Sequence, residues 1–382
     1  MSTLPLPAPQ PGCHSERSEE SLRCRHDSGS LLLSAPLRLC VSYLASAALI
    51  VALALLLSML VTSPALAQGP ADGDDVAADP APAAHSGPRV VGDPTGISFI
   101  ENLRARSYGG GSIERLRVIE DNDDFTRYAI RYPSDDITIA GFMDVPKNVA
   151  PPYPAIVVAH GFVWPNSYTL MPYSAPYADA LARAGYLVVH PNYRNYGASG
   201  EGPNPMRSGY AIDVLNLVEI LKATPDVRGD AIGLFGHSMG GEVALRVLVT
   251  TPDVRAAVLY GSMSADSWEN WNLINTKWAG GWFLFDGPFS PWRDREAFRL
   301  SSPSSFLDDI TAPVQIHHGT ADDTAPLRWA TGLAAALRDH GKDVELYTYP
   351  GAGHSFGIGG AAYNAMMSRS IAFFDNQLKT EH

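Results

Sequence analysis

Cysteine is scarce in this chain of 382 residues and is confined to its beginning. The three cysteines are Cys13, Cys24 and Cys40, and none follows. A chain processed after this region would need no disulfide bonds, and its folding would not depend on the redox state of its compartment. The sequence also lacks a metal-binding pattern. His317 and His318 are adjacent on a predicted strand, so their side chains point to opposite faces and cannot share an ion.

Signals for cofactors and for anionic partners are lacking as well. The chain has no phosphate-binding loop and no dinucleotide fingerprint, because the glycines at 109–111 do not follow a strand. Its net charge at neutral pH is −12, and residues 1–67 carry four acidic and four basic side chains, so the remainder keeps that excess. An acidic surface argues against nucleic acid or an anionic membrane surface as a partner. We therefore expect chemistry that needs no cofactor and no metal.

An uncharged, largely apolar run covers residues 41–61 and is followed by small residues ending in Ala65-Leu66-Ala67. This pattern is typical of a signal peptide cleaved after Ala67, although the run is also long enough to span a bilayer. We predict that residues 41–67 are a signal peptide or a membrane anchor, which implies an extracytoplasmic location. Residues 1–40 show no periodicity and are predicted to be an unstructured extension. Because signal peptides rarely begin so far upstream, a start later than Met1 is our hypothesis.

The remainder of the chain divides into a linker and one globular domain. Residues 68–97 contain almost no bulky apolar residues, cannot bury a core and are predicted to be a disordered linker. Residues 98–382 begin with alternating segments that indicate antiparallel strands. After residue 154, apolar strands alternate with helices, which predicts a mostly parallel twisted sheet with helices on both faces. In the helix from Ser208, Asp213 lies outside the apolar face and is expected away from the core.

The most informative segment runs from Ala231 to Gly241. An apolar strand at 231–235 leads into Gly236-His237-Ser238-Met239-Gly240, and a helix is predicted from Glu242 to Val249. A serine at a sharp strand-to-helix turn, with glycine two positions away on each side, is the nucleophile elbow of α/β-hydrolases. We therefore predict Ser238 as a nucleophile.

Two candidate partners follow in the order nucleophile, acid, histidine that this fold requires. Asp322 follows a predicted strand at 313–318, and His354 follows a predicted strand at 344–349. The carboxyl ends of parallel strands share one edge of the sheet, so these side chains can meet Ser238 there. His354 would take the serine proton, and Asp322 would orient the imidazole. We prefer Asp322 to Asp323, which is expected to cap the next helix.

Two backbone N–H groups are candidates for an oxyanion hole. Met239 follows the nucleophile, and Phe162 lies in the loop after the predicted strand 155–159, where Gly161 leaves the backbone free to turn. His160 is predicted to hold this loop rather than to take part in the reaction. Arg194 is predicted to form a structural ion pair rather than to bind a substrate carboxylate.

Several of these segments resemble the prolyl oligopeptidase family and, more broadly, dienelactone hydrolases and acetyl esterases. The resemblance covers about residues 98–382 and includes YAIRYPSDDITIAGFMDVP at 128–146, VAHG at 158–161, PNYRNYGASGEG at 191–202, HGTADDTAP at 318–326 and YPGAGHSF at 349–356. By position, Ser238, Asp322 and His354 match the family's triad and Phe162 matches its oxyanion loop. Phe162 stands where the peptidases usually have a second glycine, and His237 stands where an aromatic residue often precedes the serine. No segment has the length or internal repeat of the family's N-terminal β-propeller.

About fifty residues separate the predicted strand at 256–260 from the one at 313, which is too long for a plain crossover. They hold five of the seven tryptophans, and we predict an aromatic-rich cap insertion at about 262–312. Substrate pockets are mainly apolar, so a few aromatic rings are expected to line this one. The candidates are Trp164, Trp268, Trp271 and Trp282.

Three functions remain open at this point. The resemblance implies a serine hydrolase, without cofactor, that acts on short peptides. The alternative is a carboxylesterase for small or aromatic acyl esters, favoured by the missing propeller and by the His-Ser-Met sequence of the elbow. A non-catalytic binding protein on the same fold is the third. The expected partner is a short peptide or a small ester, with no nucleic acid and no membrane contact beyond the N-terminal segment.

Overall fold

The computed structural model describes Gly96, residues 98–277 and residues 295–380. The predicted extension at 1–40, the predicted signal or anchor at 41–67 and all but Gly96 of the predicted linker at 68–97 lie outside these residues. Among the helices that are described, none is both long and apolar enough to cross a membrane.

Nine strands of the described chain form a single sheet. The strands are β1 (Glu114–Asp121), β2 (Phe125–Ser134), β3 (Ile137–Pro146), β4 (Tyr153–Ala159), β5 (Leu187–Pro191), β6 (Val227–His237), β7 (Ala256–Tyr260), β8 (Val314–Gly319) and β9 (Val344–Tyr349). Their order in the sheet is β1-β2-β3-β5-β4-β6-β7-β8-β9. The first three strands and β5 pair antiparallel, and all pairs from β5 through β4 to β9 are parallel. This is the mostly parallel sheet with an antiparallel start that the sequence predicts.

Helices cover both faces of the sheet, so the central strands are buried on both sides and consist of continuous apolar runs. The helices are α1 (Ile100–Arg104), α2 (Ala175–Arg183), α3 (Ser208–Lys222), α4 (Met239–Thr250), α5 (Ser267–Lys277), α6 (Arg295–Ser301), α7 (Leu327–Asp339) and α8 (Ala361–Phe374). In β4, Val157 packs into the core that includes α3, α4 and α7, while Ile156 packs into the opposite core with α2 and α8. Together these features confirm the predicted α/β-hydrolase fold.

Two local predictions are wrong. The helix expected from Glu242 begins three residues earlier, at Met239, immediately after Ser238. Asp213 was expected away from the core, but its side chain is fully buried because α3 is covered on nearly all sides and Asp213 pairs there with Arg194. The amphipathic pattern of α3 therefore marks how its apolar residues pack, not which side faces solvent.

The sheet brings the candidate residues to one edge. Strand β6 lies between β4 and β7, with Gly236 beside both Ala159 and Leu259. The carboxyl ends of β4, β6, β8 and β9 therefore point to the same side, and each leads directly into a loop or helix that carries a candidate residue. Open α/β sheets place their sites at this edge.

Candidate active site

Ser238 occupies a strained turn between β6 and α4. Its backbone has φ 55° and ψ −119°, a conformation that L-residues rarely adopt and that costs on the order of 1–3 kcal/mol. A Cβ on Gly240 would lie 1.9 Å from the Ala159 carbonyl oxygen, so only glycine allows α4 to start this close to β4. The Ser238 N–H donates to the Tyr260 carbonyl at 2.9 Å, and the Ser238 carbonyl accepts from the Met263 N–H at 3.0 Å. The turn is thus held from two sides.

The three candidate side chains form one hydrogen-bonded line. His354 Nε2 lies 2.9 Å from Ser238 Oγ, and His354 Nδ1 lies 2.9 Å from Asp322 Oδ2. The Asp322 side chain is fully buried, whereas His354 keeps 18% of its side-chain surface exposed. Residues separated by 116 and 32 positions in the sequence therefore meet in the order that general-base activation of a serine requires.

Asp322 accepts hydrogen bonds from four directions. Its Oδ1 receives the N–H groups of Thr324 and Ala325 at 2.9 and 2.8 Å, and its Oδ2 faces His354 and also His318 Nε2, at 3.3 Å. Burial raises the pKa of Asp322, but the hydrogen bonds from His318 and His354 outweigh it and hold this pKa well below its ordinary value. The carboxylate is therefore ionised when it faces the imidazole.

Sequence reasoning missed the contact between His318 and Asp322. His318 Nε2 also lies 2.9 Å from the Ala325 carbonyl oxygen, whereas His317 contacts Tyr349 and Gln315. The two adjacent histidines have separate partners, as strand alternation predicts. The signal for His318 was its place at the end of β8, four residues before Asp322.

Asp323 does not join this line. It is exposed, and its Oδ1 accepts a hydrogen bond from the Thr324 hydroxyl. The prediction that it caps the next helix is wrong, because α7 begins after Pro326 and has no side-chain cap. Asp322 itself makes the local turn through the N–H groups of Thr324 and Ala325.

The two candidate oxyanion donors lie on either side of Ser238. Met239 is the first residue of α4, so its N–H has no partner inside the helix and points along the positive end of the helix dipole. A Cβ on Gly161 would lie 3.1 Å from Ser238 Cβ, which brings the loop carrying Phe162 against the nucleophile. In the part of the chain that the structure describes, neither the Met239 N–H nor the Phe162 N–H donates a hydrogen bond. Both are available to a developing oxyanion.

His237, directly before the nucleophile, is an uncharged side chain close to the hydrogen-bonded line of Ser238, His354 and Asp322. Its ring stacks on Tyr260 at 4.6 Å and lies 5.3 Å from the His354 ring. Burial, with a smaller contribution from nearby His354, lowers the pKa of His237 to about 3. It therefore adds no charge beside His354 at neutral pH.

A cavity of about 580 Å³ adjoins both oxyanion candidates. Phe162 and Met239 line it, and so does the exposed ring of Trp164, whose centroid is 5.3 Å from that of the Phe162 ring. The rest of its wall comes from the segment between β5 and α3 and from the start of α3, and includes Asn195, Glu201, Asn204, Arg207 and Tyr210. The size and the mixture of aromatic and polar groups suit a small organic substrate.

Of the three predicted pocket tryptophans that the structure describes, Trp164 is the one that borders this cavity. Trp268 lines a separate cavity of about 400 Å³ with Asp266 and Phe298. Trp271 packs near Phe298, with ring centroids 6.1 Å apart. Neither Trp268 nor Trp271 is among the described residues that line the cavity at Phe162 and Met239. Trp282, like the rest of 278–294 in the predicted cap, lies outside the described residues.

The cavity wall is held by buried ion pairs that sequence reasoning largely missed. Arg194 contacts Asp213 at 2.9 Å, with both side chains almost fully buried, in the structural role predicted for this arginine. Arg207 contacts Glu242 at 2.6 Å, and Glu242 also pairs with Arg246. Four residues in this segment have positive φ angles without being glycine, namely Tyr193, Asn195, Met206 and Arg207. Such strain persists only where surrounding contacts enforce it.

No group of three histidine, cysteine, aspartate or glutamate side chains within the described residues is arranged to hold a metal ion.

Comparisons with known proteins identify the family of this chain. The sequence profile of the prolyl oligopeptidase family matches residues 173–381, more than half of the chain. The uncharacterized peptidase YuxL of Bacillus subtilis is 29% identical over 263 residues, which are 63% of this chain and 38% of that protein. The chain thus spans well under half the length of this relative.

Solved structures share the fold. An acylaminoacyl peptidase of Pyrococcus horikoshii superposes with a TM-score of 0.57 at 22% identity, covering 68% of this chain and 43% of that chain. Acetyl xylan esterase 1 of Thermoanaerobacterium superposes with a TM-score of 0.52 at 17% identity, covering 73% of this chain and 90% of that chain. The family match, which covers more than half of the chain, shows that this chain belongs to the prolyl oligopeptidase family.

Proposed function

We propose that this protein hydrolyses short peptides through an acyl-enzyme on Ser238. The observation that carries the proposal is the unbroken hydrogen-bonded line from Ser238 Oγ through His354 to Asp322. A serine hydroxyl is a weak nucleophile until a base takes its proton, and an imidazole held by a carboxylate supplies that base. The family match and the peptidases among the relatives support a peptide substrate.

In the proposed reaction, the Ser238 Oγ attacks the substrate carbonyl carbon while His354 Nε2 accepts the hydroxyl proton. Asp322 accepts the hydrogen bond from Nδ1–H and stabilises the resulting imidazolium. The N–H groups of Met239 and Phe162 bind the negative oxygen of the tetrahedral intermediate. The intermediate collapses, the bond to the leaving amine breaks, and His354 returns the proton to that amine. Water then attacks the acyl-enzyme in the same way and releases the acid.

A second candidate is a carboxylesterase for small or aromatic acyl esters. A specific observation favours it: acetyl xylan esterase 1 is covered over 90% of its length, whereas the peptidase of Pyrococcus horikoshii is covered over 43%. The same residues would act, and the leaving group would be an alcohol instead of an amine.

Labelling with a fluorophosphonate probe tests whether Ser238 is the nucleophile. The probe should modify the wild-type protein at Ser238 and should fail to label Ser238→Ala. Ser355→Ala is the matched control, because Ser355 is an exposed serine beside His354, and this variant should still be labelled. Labelling of the Ser238→Ala variant at the wild-type rate would overturn the assignment, and an unreactive wild-type protein would favour a binding function.

Turnover of matched chromogenic substrates separates the two candidates. The proposal expects p-nitroanilides of aminoacyl and prolyl groups to be cleaved with a kcat/KM that competes with that for p-nitrophenyl acetate. Cleavage of the ester alone would replace the peptidase proposal with the esterase. Background hydrolysis of the ester is measured with Ser238→Ala.

We also propose that residues 41–67 direct the chain out of the cytoplasm, through cleavage after Ala67 or as a retained anchor. The support is the apolar run followed by small residues. N-terminal sequencing of the exported protein should find Gln68 as the first residue if the segment is cleaved. A full-length chain recovered from the cytoplasm would contradict the proposal.

A further inference from the structure

The imidazole of His160 lies between two backbone carbonyl groups at the end of β4. Its Nδ1 is 2.7 Å from the Gly161 oxygen, and its Nε2 is 3.0 Å from the Asn192 oxygen. The ring is almost fully buried and stacks on Tyr193 at 4.4 Å and on His190 at 5.3 Å. It makes no described contact with the line formed by Ser238, His354 and Asp322. A side chain held this tightly fixes the atoms that it touches.

The Gly161 carbonyl belongs to the same peptide group as the Phe162 N–H. The described residues contain one cis peptide bond, at Pro151-Pro152, so the bond between Gly161 and Phe162 is trans. In a trans peptide, the C=O and N–H groups point in opposite directions within one rigid plane. An imidazole that fixes the direction of the Gly161 carbonyl therefore also fixes the direction of the Phe162 N–H.

This peptide group lies beside the nucleophile. The missing Cβ of Gly161 faces Ser238 Cβ at 3.1 Å, and the Phe162 N–H donates to no other group in the described chain. Oxyanion donors contribute to catalysis when they are oriented in advance, because no reorganisation is then needed as charge develops.

We propose that His160 is a positioning residue for the oxyanion hole, which holds the Gly161 carbonyl so that the Phe162 N–H points toward the substrate oxygen. The inference rests on the proposed function, since it assumes an acyl transfer at Ser238. Burial lowers the pKa of His160 more than its two carbonyl contacts raise it, so the ring is neutral and can donate to only one carbonyl. We assign the proton to Nδ1, which makes the shorter contact.

Variants of His160 can separate the two contacts. His160→Asn places an amide N–H₂ at the position of Nδ1, His160→Gln reaches the position of Nε2, and His160→Phe keeps a ring but donates to neither carbonyl. We expect kcat to fall by about 10²-fold in His160→Phe and His160→Gln, the scale for loss of one oxyanion donor. The kcat of His160→Asn should be at least about tenfold higher than that of His160→Phe, and KM should change little in all three variants.

His190→Phe is the matched control. His190 is buried in the same stack, 4.7 Å from Phe142, and neither of its ring nitrogens has a hydrogen-bond partner within the described residues. The replacement keeps an aromatic ring of similar size, so kcat should stay within about threefold of wild type. The thermal midpoint of each variant is measured alongside, so that loss of folded protein is not counted as loss of rate.

A thionoester substrate distinguishes an oxyanion effect from general damage to the site. Its sulfur replaces the carbonyl oxygen and accepts hydrogen bonds poorly, so the wild-type enzyme already loses most oxyanion stabilisation on it. The proposal expects His160→Phe to lose much less kcat on the thionoester than on the matched ester. If His160→Phe does not fold, the comparison of His160→Asn with His160→Gln carries the same test.

Three results would each overturn the proposal. The first is an equal loss of kcat on ester and thionoester in His160→Phe, and the second is an equal loss of kcat in His160→Phe and His190→Phe. The third is an equal kcat in His160→Asn and His160→Gln. These outcomes differ from a failure of the proposed function. If the proposed function is wrong, the wild-type protein will neither react with a fluorophosphonate at Ser238 nor cleave the ester, so the failure is seen before any His160 variant is measured.

Discussion

The two sides of Ser238 differ in how their residues are held. On one side, His354 and Asp322 lie in the short loops after β9 and β8, and hydrogen bonds among neighbouring groups orient them. On the other side, the cavity wall between residues 192 and 210 depends on buried ion pairs to α3 and α4 and contains residues with positive φ. The side chains of the first side are positioned by local loops at the correct edge of the sheet, whereas the cavity wall on the second side is positioned by the packed core.

This difference predicts which substitutions affect rate and which affect folding. A change at Ser238 or His354 removes a group that the reaction needs and leaves the core intact, whereas a change at buried Asp322 is also expected to affect stability. A change in the ion pairs behind the cavity leaves a charge without its partner in the core. The following experiments test that separation, beginning with the largest expected effect.

Replacement of Ser238 by alanine should have the largest effect. Removal of the nucleophile of a serine triad lowers kcat by about 10⁶-fold, because the remaining groups stabilise the transition state but cannot form the acyl-enzyme. Steady-state kinetics with the best substrate would measure the loss, and the thermal midpoint should change little, because alanine removes only one hydroxyl and keeps the Cβ of the turn. A loss of only a few-fold would show that the reaction does not pass through this hydroxyl.

Asp322→Asn should lower kcat by about 10⁴-fold, the scale seen when the orienting carboxylate of a triad becomes an amide. The amide cannot stabilise the imidazolium, and it favours the wrong tautomer of His354. Asp323→Asn is the matched control, because Asp323 is exposed and does not contact His354, and its kcat should stay within about twofold of wild type. A similar loss in both variants would contradict the different roles of the two carboxylates.

The same variant tests a pH effect on stability. The pKa of Asp322 is lower in the folded protein than in the unfolded chain, so its ionisation stabilises the fold at pH values above the unfolded value of about 3.9. This contribution is lost as the pH falls below that value toward the folded pKa. The difference in free energy of unfolding between wild type and Asp322→Asn should therefore be largest near neutral pH and shrink in acid. A difference independent of pH would show that the carboxylate is not ionised in the fold.

The contrast between the two sides also explains what the sequence could predict. Ser238, Asp322 and His354 each follow an apolar strand in a short segment rich in glycine or in turn-forming residues, so local patterns were sufficient to bring them to one edge. The burial of Asp213 was not predictable in this way, because its partner Arg194 lies nineteen positions earlier in a different element. The amphipathic pattern of α3 placed a charged residue away from the core, whereas the fold buries it with its counter-ion.

The early start of α4 has a similar cause. The glycines at 240 and 241 have low helix propensity and suggested a loop before Glu242. A Cβ on Gly241 would lie 2.3 Å from Ser262 Oγ, and one on Gly240 would collide with the carbonyl of Ala159. Contacts between distant segments therefore impose glycine inside a helix. The ion pair between Arg207 and Glu242 in the cavity wall was missed for the same reason, since its two partners are 35 positions apart in the sequence.

Asp213→Asn should destabilise the protein by about 3–5 kcal/mol, the range for removal of one partner from a buried ion pair. Of its two ion pairs, Arg194 would then keep only the longer one, with partly buried Asp135 at 3.3 Å. Glu114→Gln is the matched control, because the Glu114–Arg131 pair is about half exposed and should contribute less than about 1 kcal/mol. Urea unfolding would measure both. Equal effects would show that burial of the pair behind the cavity does not matter.

His237→Phe should have the smallest effect, although His237 lies beside both Ser238 and His354. Because its pKa is lowered to about 3, the imidazole is uncharged at the pH values where the enzyme would act, and phenylalanine can keep its stacking on Tyr260. We expect kcat/KM to stay within about threefold of wild type and the midpoint of the acidic limb of its pH profile to move by less than about 0.3 unit. The profile, measured from pH 4 to 9, reports the charge next to His354 directly. If His237 carried a proton in this range, it would repel the imidazolium of His354, and its removal would move that midpoint to higher pH. A shift to higher pH would mean that His237 titrates together with the groups of the site. The contrast between the two sides of Ser238 would then not apply to the residue directly before it.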